Sequence, residues 1–92
     1  MRHKPRKTHE ASPEELAYRA ALGQRIRALR SEHHSQEEFA DLIDVFRSHM
    51  STIERGKTDP KLSTLLRVAT ALNLSVDELL RVDVPDRAEA TS

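Results

Sequence analysis

A chain of 92 residues with 15 Lys and Arg against 15 Asp and Glu has room for one small domain, whose packed part should be about 60 to 70 residues. Without cysteine, neither a disulfide framework nor a thiolate metal site can staple so small a core, which points to the cytosol and to a compact all-helical solution. No apolar run approaches bilayer length, so membrane partners are not expected, and a formal net charge of zero leaves only segregated charge as a basis for nucleic-acid binding.

Residues 1–11 are nearly devoid of apolar side chains and carry Arg2, Lys4, Arg6 and Lys7 against Glu10, which predicts a basic flexible arm. Such an arm either adds phosphate contacts along a duplex or serves only solubility. Structure is expected to begin at Ser12, where Ser12, Pro13 and Glu15 form a capping box with proline at the first helical position. A first helix should run from about Pro13 to Glu32, with Leu22, Ile26 and Leu29 as its inward stripe and Leu16 and Ala20 extending it. Gly23 in its interior is expected to permit close packing.

Ser35 and Glu38 form a second capping box and place helix 2 at about Gln36 to Ile43, buried through Phe39, Ala40 and Ile43. The apolar residues Phe39, Ile43, Val45, Met50 and Ile53 fit neither one long helix nor a strand, so the chain must bend near Asp44. Aspartate is among the few non-glycine residues that visit the left-handed conformation such a bend needs. The next helix should start near Phe46 or Arg47 and end at Arg55, because Gly56 suits the position just past a helix end. KTDPK, residues 57–61, reads as a loop. Leu62, Leu65, Leu66, Ala69 and Leu72 then recur at spacings of three and four, an amphipathic fourth helix ending at Asn73. Ser75 and Glu78 make a third capping box for a short fifth helix with Val76, Leu79 and Leu80. The domain should therefore span residues 12–82, with residues 83–92 a polar tail.

Two short helices joined by a tight turn, the second polar on its free side, match the helix-turn-helix plan. Ile43, Val45, Met50 and Ile53 point into the crossing, which leaves Arg47, Ser48, His49, Ser51 and Thr52 as a hydrogen-bonding surface. LGQRIRALR (22–30), SQEEFADL (35–42), MSTIERGKTDP (50–60) and LSTLLRVATALNLSVDELL (62–80) closely resemble the Xre/Cro/C1-type helix-turn-helix family of phage-repressor-like regulators. The resemblance implies a five-helix lambda-repressor-like fold and sequence-specific binding to double-stranded DNA, usually as a homodimer on a palindromic operator. No cofactor, small-molecule ligand or catalytic activity is implied.

Residue by residue, the resemblance implies that Gln36 bonds a phosphate beside the free N–H groups of a helix N-terminus. Arg47, Ser48 and Thr52 match base-reading positions, with Arg47 suited to guanine through its forked donors. Phe46 falls where the family often has a small polar residue. Its ring should either contact a thymine methyl or pack on the core or a partner, so it too is a candidate base contact. Arg55, Lys57, Thr58 and Lys61 match backbone-contacting positions, and His49 and Ser51 are further candidate phosphate contacts. Arg30 and Glu54 match a pair joining helix 1 to the end of helix 3. The link between helices 1 and 2 departs from the family pattern, being one residue shorter and lacking its glycine and buried leucine, so either His34 replaces the leucine or helix 1 ends earlier. Dimerisation is expected on an exposed apolar strip at Leu79, Val82 and Val84, with Leu16 and Tyr18 of helix 1 as the alternative.

Other readings follow from the same residues. His33 and His34 point in different directions and have no ligand-spaced carboxylate, so a metal is not expected. Ser51 and Thr52 lack a convergent base, which argues against an enzyme. An antitoxin that sequesters a protein toxin and autoregulates, or the controller protein of a restriction-modification system, would be of similar size.

Overall fold

The computed structural model describes residues 10–84, and all regular structure among them is helical: α1 (Pro13–Ser31), α2 (Gln36–Leu42), α3 (Arg47–Glu54), α4 (Leu62–Ala71) and α5 (Val76–Leu79). Most of the expected basic arm and polar tail lies outside the described residues. None of the described helices is long and apolar enough to cross a membrane.

Serine begins three of the helices. Ser12 Oγ accepts from the Glu15 N–H at 3.1 Å. Ser35 and Ser75 each form a reciprocal capping box with Glu38 and Glu78. The same contact holds the Glu78 carboxyl below its ordinary pKa, chiefly through the Ser75 backbone N–H.

Three successive helices also end alike. After α2, the Asp44 N–H donates to the Asp41 carbonyl and the Val45 N–H to the Ala40 carbonyl. After α3, Gly56 and Lys57 make the equivalent bonds to Ile53 and Thr52. After α4, Asn73 and Leu74 make them to Thr70 and Ala69. This paired pattern is the Schellman ending, and it requires a left-handed residue just past the helix. Asp44, Gly56 and Asn73 occupy that position with φ of 62°, 71° and 64°. The bend expected at Asp44 is thus a regular helix stop.

Ile26, Phe39, Met50, Val68 and Leu79 are the largest fully buried side chains, one from each helix, so each helix contributes to a single core. Gly23 sits where α1 meets the end of α3: a Cβ there would lie 2.6 Å from the Ile53 carbonyl oxygen and closer still to that of Glu54. His34 does fill in at the shortened link, half-buried with its ring 5.8 Å from that of Phe39.

The inward face of α4 differs from its leucine pattern. Thr64, Val68 and Ala69 are buried, whereas Leu62 is 64% and Leu66 50% exposed. Five apolar positions over eleven residues make a stripe wider than the neighbouring helices cover, and its edge faces outward.

The expected exposed strip at the C-terminus is corrected as well. Leu79 is fully buried and Val84 nearly so, while Val82 is half-buried. A four-residue helix cannot persist alone, and α5 is held by α1. Arg25 donates from Nε to the Leu79 carbonyl at 3.0 Å and from Nη2 to that of Glu78 at 2.9 Å. The Tyr18 hydroxyl donates to the Leu80 carbonyl. The Tyr18 hydroxyl is thus used within the domain, while Leu16, the other helix 1 residue of the alternative surface, is 49% exposed.

Candidate nucleic-acid interface

Helix α3 divides cleanly. Met50, Ile53 and Glu54 turn inward at 5% exposure or less, which fixes the helix against α1 and α2. Phe46, Arg47 and Ser48, at its start, are exposed, and His49, Ser51 and Thr52 are half-buried. Phe46 is the N-cap residue but makes no side-chain cap, so the first N–H groups of α3 have no side-chain acceptor from that position. The positive end of the helix dipole and the Arg47 guanidinium lie together at this tip.

The Phe46 ring is 83% exposed. Packing on the chain's own core, one of the destinations expected of the ring, does not occur. Phe46→Ala should therefore change the stability of the free protein by no more than about 0.5 kcal/mol, measured by urea denaturation. A larger loss would mean that the ring is anchored in solution. Thr52 is partly committed, since its hydroxyl donates to the Ser48 carbonyl at 2.8 Å. Its oxygen can still accept, so it suits an exocyclic amine better than a base acceptor.

Arg55 and Lys57 are exposed just after α3, and Thr58 is half-buried. Lys61 is exposed and is the N-cap residue of α4, again without a side-chain cap. Arg19 of α1 lies 3.7 Å from Asp59, which ties this loop to the scaffold.

Beneath the surface, Arg30 at the end of α1 grips Glu54 at the end of α3. Nε donates to Oε2 at 2.9 Å and Nη2 to Oε1 at 2.7 Å, a fork matching the carboxylate. The Glu54 hydrogen bond and charge raise the Arg30 pKa above its ordinary value, despite burial. Arg30 Nη1 also donates to the His34 carbonyl at 3.1 Å. Gln36, the first residue of α2, donates from Nε2 to Glu54 Oε1 at 3.0 Å. That bond has no local signature in the sequence, where the resemblance implies for Gln36 only a phosphate contact. Among the described residues no group of three or more His, Asp or Glu side chains could hold a metal ion.

A helix pair joined by a left-handed turn, the second helix anchored by its inner face and polar at its free tip, defines a helix-turn-helix domain. The chain belongs to the helix-turn-helix domain family, whose model matches residues 21–88, and within it to the Xre/Cro/C1 type. It is 40% identical over 60 residues to the immunity repressor protein of Bacillus phage phi105, covering 64% of this chain but only 42% of the phage protein. The restriction-modification controller protein C.AhdI from Aeromonas hydrophila superposes with a TM-score of 0.62 at 39% identity, over 65% of this chain and 92% of that one. The DNA-binding domain of the P22 C2 repressor gives 0.64 at 33% identity, over 72% and 88%. The five-helix fold is thus lambda-repressor-like.

Proposed function

We propose that the chain is a sequence-specific regulator of transcription, a repressor, that binds a palindromic double-stranded DNA operator as a homodimer with α3 in the major groove. The observation that carries this reading is the division of α3, whose inner face is locked into the core while Phe46, Arg47 and Ser48 stand free at an uncapped tip. A helix about 10–12 Å across fits a major groove about 12 Å wide. Similarity to a phage immunity repressor and to a restriction-modification controller protein supports the same reading. It gives no support to sequestration of a toxin.

In this reading Arg47 forks onto guanine O6 and N7, Ser48 and Thr52 read neighbouring base edges, and Phe46 meets a thymine methyl. Gln36, His49, Ser51, Arg55, Lys57, Thr58 and Lys61 hold phosphates on either side and set the register. Two-fold symmetry places two recognition helices about 34 Å apart, one turn of duplex. Residues 12–82 form the binding domain, which works in the cytosol without a cofactor.

Selection of bound duplexes from a random pool tests the reading, and recovery of no enriched sequence would overturn it. On the selected site, Arg47→Ala should relax preference at one base pair, about 1–3 kcal/mol of discrimination. Lys57→Ala should instead weaken all sequences alike and flatten the salt dependence by about 0.9 in the log–log slope. Equal behaviour of the two variants would contradict the assigned division of labour.

A further inference from the structure

We infer that Glu54 is a positioning residue for DNA binding, fixing the carboxamide of Gln36 so that a donor faces the phosphate at the start of α2. This rests on the DNA-binding reading above. Glutamine has three side-chain torsions and an amide that can present either oxygen or nitrogen to a partner. On an open surface nothing would select one arrangement. Here the partner is a buried carboxylate, its side chain 2% exposed and gripped by Arg30, and as an anion it can only accept.

The choice of amide orientation follows from that chemistry. Presenting Gln36 Oε1 to Glu54 Oε1 would oppose two acceptors, so Nε2 must face inward, as its 3.0 Å bond records. One Nε2–H is thereby consumed, and the second points away from the carboxylate, on a half-buried residue at the first position of α2. Glu54 does not repel a phosphate there as a bare anion would, because Arg30 neutralises it at 2.7 Å. The buried pair thus does more than join α1 to α3: the same Glu54 oxygen reaches α2 and sets a surface donor.

A double-mutant cycle separates this role from a purely structural one. The variants are Gln36→Ala, Glu54→Gln and both together, measured for affinity to a duplex recovered by selection with the wild-type chain and corrected for folded fraction. Glutamine at position 54 can donate as well as accept, so it no longer dictates the orientation of Gln36. Glu54→Gln should weaken binding about tenfold in the wild-type background and less than about twofold when Gln36 is already alanine. If Glu54→Gln does not fold, Arg30→Met combined with Glu54→Met removes the acceptor while keeping apolar volume, and is read through the same cycle.

A methylphosphonate scan of the duplex gives a second readout. Neutralising the phosphate met by Gln36 should weaken the wild-type complex by a clearly larger factor than the Glu54→Gln complex. Equal fractional losses in both backgrounds, or no effect of Gln36→Ala at all, would end this inference while leaving DNA binding intact. A wild-type chain that enriches no duplex would end both.

Discussion

Gly23→Ala should lower the thermal midpoint, by up to about 16 °C, although local propensity predicts the opposite. Glycine costs a helix interior about 1 kcal/mol relative to alanine, so exchange in an open helix would stabilise α1 by that amount. The site is not open. The new methyl carbon would stand 2.6 Å from the Ile53 carbonyl oxygen and closer still to that of Glu54, well inside van der Waals contact. Both neighbours are backbone, and the Ile53 carbonyl already accepts the Gly56 N–H that closes α3. No rotamer change relieves the clash, so the end of α3 must move away from α1. Overpacking of this kind costs about 1–3 kcal/mol and more where backbone must shift, enough to outweigh the propensity gain.

A domain of this size loses about 4–8 °C per kcal/mol, which sets the expected shift. Affinity for the selected duplex should fall by more than the folded fraction accounts for, because α3 is the element displaced. A midpoint equal to or above that of the wild type would show that helix propensity wins and that the α1–α3 approach is slack.

Much of this architecture is legible in the sequence, because the signals are local. Ser12, Ser35 and Ser75 mark helix starts within three residues of their partners, and Asp44, Gly56 and Asn73 mark the stops. Gly23 is recognisable as a packing site by its place in an otherwise strong helix. What the sequence does not disclose is where long-range polar bonds go. Tyr18 and Arg25 reach carbonyls of α5 across 62 and 54 residues, and no spacing rule links them. The error over Leu79 and Val84 follows from the same gap. An apolar strip near a chain end can close its own core or meet a second copy, and here Arg25 and Tyr18 hold α5 so that it closes the core. Among the site residues, the outward position of Arg47 follows from the apolar pattern around it, whereas the bond from Gln36 to Glu54 depends on how α2 and α3 cross.

Arg30→Ala should cost about 3–5 kcal/mol, the second large effect, since it removes one half of a buried pair and strands the other. Glu54 would remain 2% exposed at its side chain with Gln36 as its remaining partner, too little to replace solvent around a full negative charge. The His34 carbonyl would lose its donor as well, loosening the link between α1 and α2. Against a total stability of about 4–11 kcal/mol for a domain of this size, such a loss removes from about a quarter to all of it.

Replacing both members by methionine should be far milder, because neither charge is then buried and the volume is largely kept. Urea midpoints of the wild type, Arg30→Ala and the double methionine variant test this ordering. A single variant within about 0.5 kcal/mol of the wild type would mean that water reaches the Glu54 carboxylate. The Arg30 guanidinium should confer no pH dependence between neutrality and about pH 10. The folded-state pKa of Arg30 is raised, so its contribution is complete below the ordinary guanidinium value and fades only as pH climbs through the raised one. The difference between wild type and Arg30→Ala should accordingly stay constant from neutrality to about pH 10. A difference that shrinks over that range would show that the stabilisation comes from a group other than the guanidinium.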